Sequence, residues 1–167
     1  MDDFDVLCEQ VSKRLTPSHA ERLRIEDLAE RIRQRVSETC EKLHFDAEVR
    51  IDGSVAKDTW LSGEADVDIF MRVPSHLTRK EFEQRCLEIA RKAMKRYKIV
   101  ERFAEHPYLE AWAEGVRINI VPCYNVEKGK WQSATDRTPY HTEYMKTRLD
   151  ERLRREVRLL KRLTKAT

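Results

Sequence analysis

Apolar residues recur at helical spacing in the first quarter of the chain. Two such stretches predict two N-terminal helices, separated by the segment Thr16-Pro17-Ser18. Ser18 and Glu21 also match a capping box, in which two side chains satisfy free N–H groups at the start of a helix. The apolar positions of the first helix are Phe4, Leu7, Val11 and Leu15, and those of the second are Leu28, Ile32, Val36 and Leu43.

Apolar and polar residues alternate through much of the centre of the chain, which predicts β-strands. The first strand ends at Asp52-Gly53, where glycine allows backbone angles that other residues avoid. A turn at Glu114-Gly115 joins the last two strands. The predicted strands are 47–51, 66–71, 99–103, 108–113 and 116–124.

Helices are predicted between and after these strands. A short helix follows Gly53, and a capping box of Thr78 and Glu81 opens a longer one. A polar loop follows Tyr124, and two helices are predicted from Tyr140 onward. This order favours an α+β fold with a mixed sheet and helices packed mainly on one face.

The length of 167 residues predicts one domain. Within it we expect N-terminal helices at 1–44, a sheet with its helices at 45–124 that carries the chemistry, and a basic loop with C-terminal helices at 125–167. Hydrophobic residues make up 40% of the chain and charged residues 38%, which is typical of a soluble globular domain.

No feature of the sequence suggests a membrane or an export route. No apolar run approaches the roughly 20 residues that span a bilayer, and the N-terminus lacks the pattern of a signal peptide. We therefore expect an intracellular, cytoplasmic protein with no membrane partner. Its four cysteines lie far apart, which favours buried free thiols over a zinc site or disulfides.

Positive charge is concentrated near the C-terminus. Residues 146–165 contain nine Lys and Arg against three Asp and Glu, although the whole chain carries only +3. Such a segment can bind phosphates, with an affinity that falls as salt rises. Arg154, Arg155 and Arg158 are the candidate RNA contacts within it, and a solvated helix face is the alternative interpretation.

Asp66 and Asp68 are the candidate catalytic carboxylates. Two positions apart on a strand, they project from the same face, about 6.5–7 Å apart along the backbone. Converging carboxylates can hold two Mg²⁺ ions for nucleotidyl transfer. A pair of this kind, taken alone, is more often two solvated acids on an edge strand.

Ser54 lies twelve residues before Asp66, and this spacing makes the carboxylate pair more informative. Gly53 and Ser54 stand at the predicted start of a helix, where N–H groups bind anions, and Lys57 adds a positive charge one turn later. Together these residues predict a site for a nucleoside triphosphate.

Four motifs resemble those of archaeal-type, class I CCA-adding enzymes, which belong to the polymerase-β-like nucleotidyltransferases. They are GSVAKDTW from Gly53, NIVPCY from Asn119, TDRTPYH from Thr135 and EVRLLK from Glu156. The resemblance implies template-independent transfer of nucleoside monophosphates from CTP and ATP to the 3′ end of RNA, in the family tRNA. It also implies two Mg²⁺ ions, or Mn²⁺ in their place.

The resemblance assigns further roles to individual residues. Asp66 and Asp68 match two metal-ligating carboxylates. Gly53, Ser54 and Lys57 match contacts to the triphosphate. Thr138 and His141 match positions near the ribose and phosphates, and Lys161 matches a phosphate-binding lysine.

Asn119 departs from the family, which has a third metal-binding carboxylate at this position. An amide keeps one oxygen but loses the charge that Mg²⁺ prefers, so we expect a rate loss of at least roughly 100-fold. The change has two candidate origins, an engineered substitution and natural divergence.

The chain also ends at Thr167, where full-length family members continue into neck, body and tail regions. A truncated form and a natural minimal enzyme are both compatible with this length. Two other functions also stay open: a noncatalytic nucleotide- or RNA-binding module, and a nucleotidyltransferase with a non-RNA acceptor.

Overall fold

Six α-helices, five strands and one 3-10 helix follow one another along residues 3–166, which this computed structural model describes. The 3-10 helix covers Ala134–Asp136. The strands are β1 (Glu48–Asp52), β2 (Asp66–Pro74), β3 (Lys98–Phe103), β4 (Pro107–Ala113) and β5 (Val116–Asn125). The α-helices are α1 (Asp3–Leu15), α2 (His19–Lys42), α3 (Gly53–Ala56), α4 (Arg79–Ala93), α5 (Arg137–Lys146) and α6 (Glu151–Ala166).

The five strands form one mixed sheet in the order β1-β2-β5-β4-β3. β2 and β5 run parallel, and the other neighbouring pairs are antiparallel. Helices α2 and α4 cover one face, which buries residues such as Ile32, Ile69, Phe82 and Ile118 between them. The predicted α+β architecture is therefore confirmed, with α2 and α4 on one face of the sheet.

Both helices that a capping box was predicted to open begin at that box. The Thr78–Glu81 box has both of its hydrogen bonds, whereas the carboxylate of Glu21 accepts hydrogen bonds from Ser62 and Gly63. The Ser18 hydroxyl accepts a hydrogen bond from the N–H of Glu21 at 3.2 Å, before α2. Thr78 and Glu81 bond each other reciprocally before α4. Residues two to three positions into a helix have free N–H groups, so these side chains fix where α2 and α4 begin.

Helix α5 begins at Arg137, three residues before the predicted start at Tyr140, and the 3-10 helix before it was not predicted. The reason is the buried carboxylate of Asp136. It accepts hydrogen bonds from the N–H groups of Tyr124 at 2.7 Å and of Gln132 and Ser133, both at 2.8 Å. These bonds fold the polar loop back onto β5 and start the helical turn early.

Helix α1 packs on α6 rather than on the sheet. Its predicted apolar stripe is consequently not part of the core, since Phe4 and Leu7 are exposed while Ser12 is buried. In the part of the chain that the structure describes, no helix is both long enough and apolar enough to cross a bilayer.

All four cysteines are free thiols, as the sequence predicts. Cys40, Cys86 and Cys123 are buried, whereas Cys8 on α1 is half-buried. Burial raises the pKa of Cys40 to about 11 and that of Cys86 to about 12, because the charged thiolate is poorly solvated in the core.

Candidate active site

The sheet face opposite α2 and α4 carries the polar residues singled out in the sequence. Side chains alternate between the two faces of a strand, so residues two apart on β2 or β5 share this open face. Asp66 lies opposite Arg117 in the register of the parallel pair, and Asp68 lies opposite Asn119. The structure thus brings the two aspartates and Asn119 together.

A continuous row of polar residues crosses the sheet at this level. Asp52 of β1 pairs with Asp68 of β2, which pairs with Asn119 of β5, which pairs with Glu110 of β4. Neighbouring strands are about 4.8 Å apart, so the row spans four strands. Three of its four members are carboxylates, with the amide of Asn119 between Asp68 and Glu110.

Asp68 is held close to the backbone of Gly53. Its Oδ1 accepts a hydrogen bond from Asn119 Nδ2 at 2.9 Å. Gly53 has φ of 71°, and a Cβ added there would lie 2.0 Å from Asp68 Oδ2. Gly53 is therefore required twice, for its left-handed conformation and for the space that the carboxylate occupies.

Burial raises the pKa of Asp68, and the nearby negative charge of Asp66 raises it further. The hydrogen bond from Asn119 and the positive charges of Arg117 and Lys57 act in the opposite direction. The net shift is upward mainly because burial leaves the charged form of the Asp68 carboxylate poorly solvated. A bound cation would relieve this cost.

Arg117 is the immediate partner of Asp66. Its Nε lies 3.0 Å from Asp66 Oδ1, and its Nη2 pairs with Oδ2. On its other side, Nη1 lies 3.8 Å from Oε2 of Glu110. The pKa of Arg117 is raised mainly by Asp66 and then by the charges of Glu110 and Asp68, so three carboxylates act on one guanidinium.

A pocket of about 310 Å³ opens on this face, within the range of small-ligand sites. It brings Thr138 of α5 next to Gly53, Asp68 and Asn119. A larger groove of about 670 Å³ lies along α2 and α4, but Glu38 is the only carboxylate among its lining residues. The pocket on the open face is therefore the better candidate for the chemistry.

Of the predicted triphosphate contacts, Gly53 lines this pocket, and Ser54 and Lys57 follow it in the chain. Ser54 and Lys57 belong to α3 and its C-cap, a helix of only four residues. Lys57 is close enough for its charge to lower the pKa of Asp68. His141 is exposed on α5 and is not among the residues that line the pocket.

Lys161 reaches the loop after α3 from the distant helix α6. Its Nζ donates to the carbonyl oxygen of Thr59 at 2.8 Å. Burial lowers the pKa of Lys161, and the positive charge of Lys57 lowers it further. The positive charges of Lys57 and Lys161 therefore oppose each other, and a bound phosphate group would relieve this repulsion.

Arg158 does not fit its predicted role in RNA binding. The residue is 0% exposed, and its guanidinium donates to the carbonyl oxygens of Asp58 at 2.6 Å and Trp60 at 3.1 Å. It also pairs with the Asp58 carboxylate at 2.8 Å. Arg158 therefore fastens α6 to the loop after α3, whereas Arg154 is half-buried beside Lys57 and Arg155 is exposed.

Residues 29–141 match the sequence profile of a family described as nucleotidyltransferase domain. This match covers the open-face row, Gly53 and the first half of α5. The chain belongs to the nucleotidyltransferase domain family.

Curated relatives of this nucleotidyltransferase domain include archaeal CCA-adding enzymes. The enzyme of Halorubrum lacusprofundi is 39% identical over 166 residues, which are 99% of this chain and 36% of the enzyme. The enzyme of Pyrococcus horikoshii is 38% identical over 169 residues, with 99% and 37% covered. The chain thus spans about a third of the length of these relatives.

Solved structures share the fold of this nucleotidyltransferase domain. The structure of CdnC with ATP, from E. coli MS115-1, has a TM-score of 0.70 at 18% identity and covers 99% of this chain and 59% of its own. A cytoplasmic RNA terminal U-transferase has a TM-score of 0.67 at 16% identity, with 95% and 44% covered. The expected polymerase-β-like nucleotidyltransferase fold is confirmed.

Sequence reasoning missed two residues of the site in this nucleotidyltransferase domain, Glu110 and Arg117. Both were visible as charged residues in otherwise apolar strands, at positions that alternation places on the open face. Within residues 3–166, no three His, Cys, Asp or Glu side chains are grouped so that they could hold one metal ion. Arg117 occupies the space between Asp66 and Glu110 instead.

Proposed function

We propose that the chain is a template-independent RNA nucleotidyltransferase that transfers a nucleoside monophosphate from CTP or ATP to an RNA 3′ end. The observation that carries this proposal is the pair Asp66 and Asp68 on the open face, where Asp68 packs against Gly53 and lines a pocket. The named activity of the curated relatives supports the same reaction.

The donor atoms at the site suit a divalent cation. Asp66 and Asp68 offer hard anionic oxygens, which Mg²⁺ and Mn²⁺ prefer, and the burial of the Asp68 carboxylate beside Asp66 favours a cation there. Two such ions, when bound, would activate the 3′ hydroxyl and stabilise the departing pyrophosphate. Asn119 contributes an amide in place of the third carboxylate. Taken alone, this change would lower the rate of nucleotidyl transfer by roughly 100-fold.

Residues of α3, α5 and α6 would bind the rest of the nucleotide. Lys57 and Lys161 supply positive charge beside the pocket, and Ser54 and Thr138 supply hydroxyl groups. His141 is exposed on the same helix as Thr138 and could reach a phosphate from the solvent side. RNA would contact the basic residues of α6 that reach the surface, with the exposed Arg155 and the half-buried Arg154 as candidates.

The proposed acceptor is the 3′ end of an RNA, and tRNA is the acceptor suggested by the relatives. These enzymes are about three times as long as the chain, so the order of C, C and A addition is proposed only by analogy with them. Measuring incorporation from each of the four NTPs separately would establish the base preference directly.

Primer extension tests the reaction. With a labelled RNA primer and Mg²⁺, the native chain is expected to incorporate from CTP or ATP, and Asp68→Asn should reduce the rate at least roughly 100-fold. Asp46→Asn, which changes an exposed acid just before β1, should leave the rate unchanged. Equal rates for native and Asp68→Asn proteins would refute the assigned site.

The second candidate function is a noncatalytic nucleotide- or RNA-binding module. Two internal contacts favour it, since Arg117 neutralises Asp66 and the amide of Asn119 satisfies Asp68. This candidate predicts salt-sensitive RNA binding without incorporation from any NTP, by the native chain or by Asn119→Asp. Incorporation by either protein excludes it.

A further inference from the structure

Glu110 is a nearly buried carboxylate at the candidate site that no sequence motif explains. It is 5% exposed and lies directly opposite Asn119, in the row that also contains Asp68. It lines the same pocket as Asp68 and Asn119. A charged carboxylate is rarely buried to this extent unless a cation compensates it.

Two arginines now supply that compensation, and both are half-exposed. Arg102 Nη2 lies 3.0 Å from Glu110 Oε1, and its side chain is 50% exposed. The Arg117 side chain is 47% exposed and bridges Glu110 to Asp66. Asp66 and Glu110 therefore converge on opposite arms of one guanidinium, and Asp68 adds its charge to the same group.

Asn119 on β5 lies between Asp68 on β2 and Glu110 on β4. A carboxylate at 119 would lie between them, but the amide there cannot replace its charge. Glutamate is one methylene longer than aspartate, so a carboxylate on β4 can extend across the sheet toward the position that Asn119 leaves without charge. In this chain the third carboxylate is thus on β4, at Glu110, and not on the neighbouring strand β5, at residue 119.

We propose that Glu110 serves as the third metal-binding carboxylate of this site in place of residue 119, and that a divalent cation displaces the guanidinium of Arg117 when it binds. This inference rests on the proposed function. It also explains why no group of three ligands is assembled among residues 3–166, because Arg117 holds Asp66 and Glu110 apart. Its exposure leaves the guanidinium free to turn into solvent.

Mn²⁺ binding, followed by the electron paramagnetic resonance signal of the free ion, tests the proposal without measuring activity. Glu110→Gln should weaken Mn²⁺ binding at least about tenfold. In the Asn119→Asp background the same substitution should cost less than about threefold, because the third carboxylate is then supplied by β5. Glu101→Gln, on β3 and paired with Arg91 of α4, is the matched control and should have no effect.

Arg117→Gln gives a second reading that does not depend on Glu110 variants folding well. Removal of a positive charge beside the ion should tighten Mn²⁺ binding about tenfold. A purely structural Glu110 would instead give equal losses in both backgrounds, or no loss, and either result overturns the proposal. So does weaker Mn²⁺ binding by Arg117→Gln.

Asp68→Asn separates this inference from the proposed function. If Asp68→Asn weakens Mn²⁺ binding and Glu110→Gln does not, the metal site stands and the role of Glu110 is wrong. If neither variant changes Mn²⁺ affinity, the proposed catalytic site and the inference both fail.

Discussion

Gly53 sets the geometry of the site at the scale of one residue. Its left-handed backbone turns the chain from β1 into α3, and its missing side chain leaves room for the carboxylate of Asp68. Gly63 has a similar φ of 77°, yet nothing lies within 4 Å of a Cβ added there. Alanine at Gly63 would therefore cause backbone strain alone, whereas alanine at Gly53 would cause the same strain and also collide with Asp68.

Gly53→Ala should weaken metal binding, whereas Gly63→Ala should not. Each substitution places an L-residue in the left-handed region, which costs about 1–2 kcal/mol of unfolding free energy. Only Gly53→Ala also drives a methyl group into Asp68, so its Mn²⁺ affinity should fall at least about tenfold. Urea denaturation and Mn²⁺ titration of both variants measure the two effects, and equal Mn²⁺ affinities would contradict this account of Gly53.

At the scale of secondary-structure elements, helix α6 holds the loop that follows α3, next to the proposed triphosphate contacts. Three loop residues, Asp58, Thr59 and Trp60, accept hydrogen bonds from its Arg158 and Lys161. The loop follows α3, which carries Ser54. Some basic residues of α6 thus hold the loop after α3 in place, and only the residues on the outer side of the helix are available to bind a polyanion.

Arg158→Met should destabilise the fold by about 2–3 kcal/mol, because it leaves the buried carbonyl group of Trp60 and the partly buried one of Asp58 without this donor. Asp58 would keep Arg22 as a partner at 3.2 Å, which limits the loss. Arg155→Met, on the exposed side of the same helix, should change stability by less than about 0.5 kcal/mol. Urea unfolding monitored by circular dichroism checks both values, and equal stabilities would show that Arg158 does not anchor the loop.

The sequence predicted the elements whose signals are local. Capping boxes gave the starts of α2 and α4, and alternation gave the strands and the shared face of Asp66 and Asp68. It could not predict the early start of α5, because Asp136 acts on β5 through tertiary hydrogen bonds. The burial of Arg158 and the approach of Glu110 to Asn119 likewise depend on long-range packing and strand order, which no single segment encodes.

At the scale of the whole molecule, the candidate site and the apolar core lie on opposite faces of the sheet. The open face holds the carboxylates, and the other face holds the apolar core beneath α2 and α4. Cys40 of α2 and Cys86 of α4 lie in this core, so they report on its packing, whereas Cys123 of β5 is buried outside it, opposite Arg72 of β2. Burial raises the pKa of each of these thiols.

The native protein should therefore react rapidly with Ellman's reagent at only one of its four cysteines. At pH 8 the buried thiols are protonated as well as inaccessible, since pKa values of about 11 for Cys40 and about 12 for Cys86 lie far above this pH. Cys8 is the reactive residue, so Cys8→Ser should remove the fast phase. All four thiols should react after denaturation in urea, and a second fast thiol in the native protein would mean that the layer between the sheet and its helices opens more readily than this packing allows.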